Sequence, residues 1–446
     1  MKKNQIQYHD RWLFWLSALA AGFMANSFPF WAGLSHPFAW GLAALAVCNL
    51  LPLVSIRNFP NFKMRICNHG VLCLRVFRVV GIVSLVYHLA TFRFVPFLVI
   101  EWVWSLLFSM FVMGSLYWNG MICVYATAKQ LGLGLRATGF LLRRIPLAQM
   151  LTVGTIIRTV TEEINFEVDK HKLNRSRKKQ AVCRTRYPLL LVHGVFFRDD
   201  PGSTYWGRIP DELRRNGATI YFGNHQSADS VAGSGRELSR RIRELCRSTG
   251  CEKVNIIAHS KGGLDCRAAI ADPETAKMVG SLTTINTPHR GCQFADYLLT
   301  RISGAAQQLI ATTYNAASKK RGDFDPDFLG AVHNLTAGFC CCFDANTPTP
   351  EGVYCQSVGS RLNKVIDGPF PLNFSAQLIK QFDGDNDGLV GESAFAWGDN
   401  YIFITADSGR GISHGDVVDQ TQENIPGFDV REFYVQLVAD LKKRGL

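Results

Sequence analysis

The feature that most limits how this chain can fold is one turn, Ala258-His259-Ser260-Lys261-Gly262-Gly263, set between two regular segments. Residues 253–258 (KVNIIA) have the length and composition of a buried strand, and residues 262–271 read as a helix. A serine on so sharp a strand-to-helix turn needs neighbours that are almost all backbone, because strand and helix pack tightly around it. Ala258 stands where glycine is usual, and a methyl group is the smallest departure available. Such a turn holds the hydroxyl clear of the sheet. It also sets the positive end of a helix beneath any negative charge that develops on a reacting carbonyl. A serine that merely caps a helix has the same local sequence, but the flanking strand and helix weigh against that reading.

From Tyr187 onward the chain alternates short apolar runs with amphipathic ones. Residues 188–192 read as a strand ending in His193-Gly194, 208–216 as a helix start and 218–222 as a strand. Residues 233–248 read as a helix, 279–285 as a strand and 401–405 as a last strand. This βαβα order predicts a mostly parallel sheet with helices on both faces.

The preceding part is of another kind. Residues 1–186 hold 22 Lys and Arg against six acids, whereas residues 187–446 hold 26 basic and 30 acidic residues. The positive excess therefore surrounds long apolar runs, which points to anionic lipid heads rather than nucleic acid. Residues 12–34 carry no charge and predict a first span, 38–56 a second, about 79–91 a third, and 94–128 a fourth tilted one. Arg75 and Arg78 are expected to snorkel from the third. Arg57, Lys63 and Arg65 mark 57–70 as a cytoplasmic loop, and the basic run after Lys129 is again inside. Four spans would leave the remainder of the chain on the cytoplasmic side of a bacterial membrane. Glu101 reads as an interfacial carboxylate near the end of the fourth span. Residues 134–165 are expected to lie on the membrane surface, broken at Pro146, with 166–186 a charged linker. The domain reading is thus 1–130 transmembrane, 131–186 interfacial and linker, and 187–446 a separate α/β domain.

The segments YPLLLVHG, ELRRNGATIY, KVNIIAHSKGGLDCR, TTINTPHRGCQFAD and NDGLV, in collinear order across most of 187–446, resemble the bacterial true lipases of the Pseudomonas and Burkholderia type. Those are α/β-hydrolases. Together with the apolar part, the chain is similar to membrane-anchored esterase/lipase proteins. The resemblance implies a nucleophile at Ser260, an acid at Asp387 within Asn386-Asp387-Gly388, and a base at His414 within Ser413-His414-Gly415-Asp416. That chain order suits the class. It also makes sense from the residues, since a base must reach the serine and a carboxylate must fix its tautomer. The class further implies an oxyanion hole from the backbone N–H groups of Val195 and Lys261, with His193 bracing the first loop. The implied activity is hydrolysis of carboxylic, lipid-derived esters through an acyl-enzyme, at a bilayer. Transfer to an alcohol on the same residues, or a non-catalytic binding or scaffold role, are the rivals.

Asp383, Asp385 and Asp387 also open like an EF-hand loop, but its twelfth position, which needs Glu, is Ala394. The relatives hold a structural calcium beside the histidine loop; two of its ligands map onto Asp416 and Gln420, with Asp367 as the candidate upstream carboxylate. A solvated Asp and Gln at a helix start is the plain alternative. No Cys follows Cys355, so the relatives' disulfide is absent, and the 13 Cys, three of them consecutive, suit a reducing compartment. A lid that opens at lipid surfaces is implied within 298–335.

Overall fold

The computed structural model describes residues 11–94, 99–142, 145–195, 205–226, 228–320, 322–364, 372–406 and 409–446. The chain divides into two compact units, Met1–Arg175 and Ser176–Leu446; the division falls inside a helix, between the expected boundaries at 130 and 186.

The first unit is helical. Its leading run is expected to be one span, yet α1 (Arg11–Asn26) stops before Ser27, and a short α2 (Phe28–Ala32) follows with Pro29 in its first turn. α3 (Pro37–Leu50) has 14 residues. At about 1.5 Å per residue neither α1 nor α3 matches a hydrocarbon core of about 30 Å. Against the four spans expected, two helices among the described residues are long and apolar enough to cross a membrane, α4 (Phe62–Phe94) and α5 (Val99–Thr127). α4 also absorbs most of the expected 57–70 loop. Arginine is a good helix former, and Arg75 donates to Thr161 Oγ1 at 2.9 Å. Glu101 lies in the first turn of α5, where its charge suits the helix dipole.

Glycine sets how closely α4 and α5 approach. A Cβ on Gly70 or on Gly120 would lie 2.9 Å from the other's carbonyl oxygen, so the two backbones touch as only small residues permit. After α6 (Leu133–Leu141) comes α7 (Pro146–Arg177), 32 residues long. The break at Pro146 is present, but the surface helix expected after it and residues 166–177 of the expected charged linker form one helix. Val153, Ile156, Val160 and Ile164 of α7 are buried with Val71, Leu74, Tyr117 and Met121. Glu163 is buried because both its oxygens accept backbone N–H groups, from Lys129 at 2.9 Å and Gln130 at 3.1 Å.

The second unit is built on β1 (Leu189–Val192), β2 (Ile220–Phe222), β3 (Val254–His259), β4 (Val279–Ile285), β5 (Tyr354–Ser360) and β6 (Asn400–Ile404). All neighbours pair in parallel, in the order β2-β1-β3-β4-β5-β6. Successive strand residues face opposite sides. Leu189, Leu191, Ile257 and Ile285 therefore meet α8 (Ile209–Arg215) and α17 (Val430–Lys443) on one face. Leu190, Val192, Ile256 and Leu282 meet α9 (Val231–Thr249) and α10 (Lys261–Ile270) on the other. Each such leucine or isoleucine contributes roughly 1.5–3 kcal/mol by leaving water. A short α11 (Pro273–Ala276) leads into β4. Between β4 and β5 lie α12 (Gln293–Arg301), α13 (Gly304–Lys320), α14 (Phe328–His333) and α15 (Ala337–Asn346). Leu309 of α13 is 70% exposed, and only Ala311 and Ser318 of that helix are buried among the described residues. α16 (Leu372–Asp383) precedes the loop that carries Asp387.

Candidate active site

The turn after β3 places Ser260 at φ 55, ψ −133, a conformation L-residues rarely adopt, at a cost of about 1–3 kcal/mol. The surroundings impose it. The Ser260 N–H donates to the Ile285 carbonyl of β4 at 2.9 Å, and its carbonyl accepts from Thr287 Oγ1 at 2.8 Å. Close packing explains the small neighbours. A Cβ on Gly262 would lie 2.2 Å from the His193 carbonyl oxygen, and one on Gly263 would lie 2.1 Å from Thr287 Oγ1.

His414 follows β6 in a loop, where its Nδ1 lies 2.6 Å from Asp387 Oδ2. Asp387 is fully buried. Its Oδ1 accepts the N–H groups of Leu389 and Val390, both at 2.9 Å. Its Oδ2 accepts, besides the imidazole, Asn286 Nδ2 at 2.6 Å. Asn286 also donates to Ser360 Oγ at 2.7 Å, and Ser360 Oγ donates to the Ile412 carbonyl at 3.1 Å. Asn286 was not singled out from the sequence, though it lies in TTINTPHRG; its positive φ of 45, just past the end of β4, turns its amide under the carboxylate. The histidine ring reaches the turn through His259, whose ring lies 4.5 Å from that of His414. Among the described residues Ser260 Oγ makes no hydrogen bond to His414; in enzymes without substrate this contact is commonly long.

The loop after β1 lies across from the turn. His193 is buried, its Nδ1 2.7 Å from the Gly194 carbonyl, and it stacks on His225 at 4.0 Å. The Gly194 N–H donates to the Tyr205 hydroxyl at 2.7 Å, and that hydroxyl lies 2.6 Å from His259 Nδ1. Burial, then the neighbouring His414, holds His259 well below the usual histidine range. The N–H groups of Val195 and Lys261 have no hydrogen-bond partner among the described residues. The Lys261 side chain turns away, into a buried pair with Asp265 at 2.7 Å, and Asp265 Oδ2 lies 3.7 Å from His225 Nε2. Burial, offset in part by Lys261, pushes Asp265 up to about 6.

The three aspartates of the EF-hand-like stretch part company. Asp383 accepts the N–H groups of Gln293 and Phe294 at the start of α12, and Asp385 pairs with Arg361 and Lys380. Both Asp416 oxygens are taken by Arg410, at 2.7 and 2.9 Å, Gln420 is exposed, and Asp367 lies outside the described residues. Among the described residues no three His, Cys, Asp or Glu side chains converge on a metal position.

A parallel six-stranded sheet with a strained serine turn at the end of an inner strand, followed by a carboxylate loop and a histidine loop, defines an α/β-hydrolase. A family model of palmitoyl protein thioesterase matches residues 188–322. A triacylglycerol lipase of Vibrio cholerae is 36% identical over 242 residues, which cover 48% of this chain and 74% of the relative. The chain belongs to this triacylglycerol lipase family. A triacylglycerol lipase of Pseudarthrobacter phenanthrenivorans is 36% identical over 179 residues, 37% of this chain; the chain spans about half of that relative's length, 55%. The crystal structure of a mature Bacillus licheniformis lipase covers 56% of this chain and 91% of its own, with 22% identity and a TM-score of 0.42.

Proposed function

We propose that the second unit hydrolyses carboxylic esters of lipids through an acyl-enzyme on Ser260. The observation that carries this reading is the 2.6 Å contact of His414 Nδ1 with the buried Asp387, in a fold whose Ser260 sits in a strained strand-to-helix turn. In the proposed cycle His414 takes the Ser260 proton as Oγ attacks the carbonyl. Asp387 fixes the tautomer and balances the imidazolium charge. The Val195 and Lys261 N–H groups receive the oxyanion; the Gly194 N–H is engaged by Tyr205. His414 then protonates the leaving alkoxide, and water, deprotonated by the same imidazole, releases the acid.

The match to a palmitoyl thioesterase model favours a second acyl substrate, a fatty thioester, cleaved by the same steps with a thiolate leaving. Membrane anchoring is also proposed. α4 exposes Ile82, Leu85, Val86 and Leu89, and α5 exposes Ile100, Trp104, Phe111 and Ile122, an apolar surface far beyond what water tolerates singly. A lipid-facing girdle and a lipid substrate at the cytoplasmic leaflet follow together. Transfer to an alcohol in place of water needs no change of residues, and product analysis with added alcohols separates transfer from hydrolysis.

The test is fluorophosphonate labelling of the full chain in membranes, with Ser260→Ala and His414→Ala as comparisons. Labelling of wild type that is lost in both variants is expected. A folded wild type that is never labelled would sink the reading in favour of a binding or scaffold role. Deleting residues 300–318 is expected to change the preference for aggregated over dispersed esters, and an unchanged preference would remove the proposed lid.

A further inference from the structure

The loop that carries His414 is bracketed by two guanidinium groups that the proposed chemistry does not use. Arg410 donates to both oxygens of Asp416 and, through its other terminal nitrogen, to Glu423 at 2.5 Å. Asp416 Oδ2 in turn accepts the Ser413 N–H at 2.9 Å, and the Asp416 N–H donates to Ser413 Oγ at 3.2 Å. Those bonds close a tight ring over residues 413–416, with His414 inside it. On the far side, Arg208 grips Asp419 through its side chain at 2.7 and 2.8 Å and through its backbone N–H at 2.7 Å, and reaches Asn424 Oδ1 at 2.9 Å. The Asp419 side chain is fully buried and its backbone sits at φ 57. Gly207, at φ +48, lets the two loops close: a Cβ there would lie 2.1 Å from the Asp419 carbonyl oxygen.

A divalent cation at Asp416 would have to displace a guanidinium from both carboxylate oxygens and sit beside its positive charge. We propose that Arg410, seconded by Arg208, is the positioning device of the His414 loop in this chain, and that it does the work for which the family resemblance implies calcium. The acidic pocket is neutralised from within the fold. Arg410 bridges Asp416 and Glu423 through its two terminal nitrogens, and Arg208 pairs with Asp419 through Nε and Nη2, so each planar guanidinium fixes direction as well as distance. The site then forms without a metal. This inference rests on the proposed role of His414.

The test compares the full-length wild type, Arg410→Gln and Arg410→Lys in membranes, each in excess EGTA and in millimolar calcium chloride. The readouts are the saturation kinetics of fluorophosphonate labelling and the thermal midpoint. For wild type, the maximal labelling rate and the midpoint are expected to be the same with chelator and with calcium. Arg410→Gln is expected to lower the maximal labelling rate about tenfold or more, as a misplaced base does, with the half-saturating probe concentration little changed. Arg410→Lys, which keeps the charge but loses the planar fork, is expected to fall between. A variant that is only less well folded would lose labelled fraction, not rate. Loss of wild-type rate or midpoint in EGTA, restored by calcium, would overturn the proposal, as would an Arg410→Gln rate equal to wild type. If the folded wild type is never labelled, the catalytic reading fails instead, and the midpoint comparison still tests the metal.

Discussion

Removing the Asn286 side-chain amide is the sharpest test of how the acid is held. Asp387 Oδ2 has two donors, the His414 imidazole and Asn286 Nδ2, while Oδ1 keeps the Leu389 and Val390 amides. Asn286→Ala takes one hydrogen bond from a buried charge, an interaction of roughly 1.5–3 kcal/mol. If the loss falls on the transition state, where His414 is cationic and the carboxylate most needed, the rate drops by about 10- to 100-fold, at about 1.4 kcal/mol for each factor of ten. The second anchor of Asn286, Ser360 Oγ, retains the Ile412 carbonyl, so the framework should stay folded. The assay is the second-order rate constant for fluorophosphonate labelling, checked with a chromogenic short-chain ester and a thermal midpoint. Ser360→Ala, which loosens Asn286 without removing it, is expected to cost only a few-fold. A rate for Asn286→Ala within twofold of wild type at an unchanged midpoint would refute the reasoning, because the two backbone amides would then hold Asp387 alone.

Three further outcomes follow from the packing and the charges. Gly262→Ala puts a methyl 2.2 Å from the His193 carbonyl oxygen; a melt should show a loss of at least about 2 kcal/mol, at the upper part of the overpacking range, since backbone cannot step aside. Asp265 has a folded value near 6, above its ordinary 3.8, so the folded state binds the extra proton between these values. Stability of the second unit should therefore rise as pH falls from 7 toward 4, and Asp265→Asn should flatten that slope in thermal melts across pH. Gly120→Ala drives a methyl toward Leu74 Cγ, at 2.7 Å, and the Gly70 carbonyl, at 2.9 Å; α4 and α5 must separate, and detergent-resistant melting of the first unit should drop by about 1–3 kcal/mol.

Much of the second unit was legible because its signals are local. A run such as VNIIAH followed by small residues can bury only as a strand and a close turn, and the observed β3 and α10 lie within a residue or so of their expected bounds. The roles of Asn286, Tyr205 and Arg410 were not legible. Each is an ordinary polar residue whose partner lies far off in sequence or depends on a loop's path, so only the fold brings donor to acceptor. The first unit was read less well for a related reason. Hydropathy reports how apolar a run is, not where its helix ends. The run 12–34 is broken at Ser27 and the α-helix of the run 38–56 ends before Pro52, while Lys63 and Arg65, taken as a loop signal, lie within α4, and Arg75, expected to snorkel, finds a partner on α7. The charged stretch after Ile164 read as a linker because its polarity hid the apolar face that α7 buries through Val168.

The sheet order has a consequence in time. From β3 to β6 the strands are added one after another, always at the same growing edge. A ribosome-bound chain that has produced β3 has Ser260 but not the β4 carbonyl that holds its amide, and one that has produced β5 still lacks both the acid and the histidine loops. The last piece to arrive is α17, whose Tyr434 hydroxyl secures the Val417 carbonyl beside the His414 loop. The Ser260 turn and the Asp387 and His414 loops are thus all secured only after some 170 residues of synthesis have followed the serine. Under the proposed membrane anchoring, a nascent chain whose apolar helices insert first would carry no assembled site among the lipids until then.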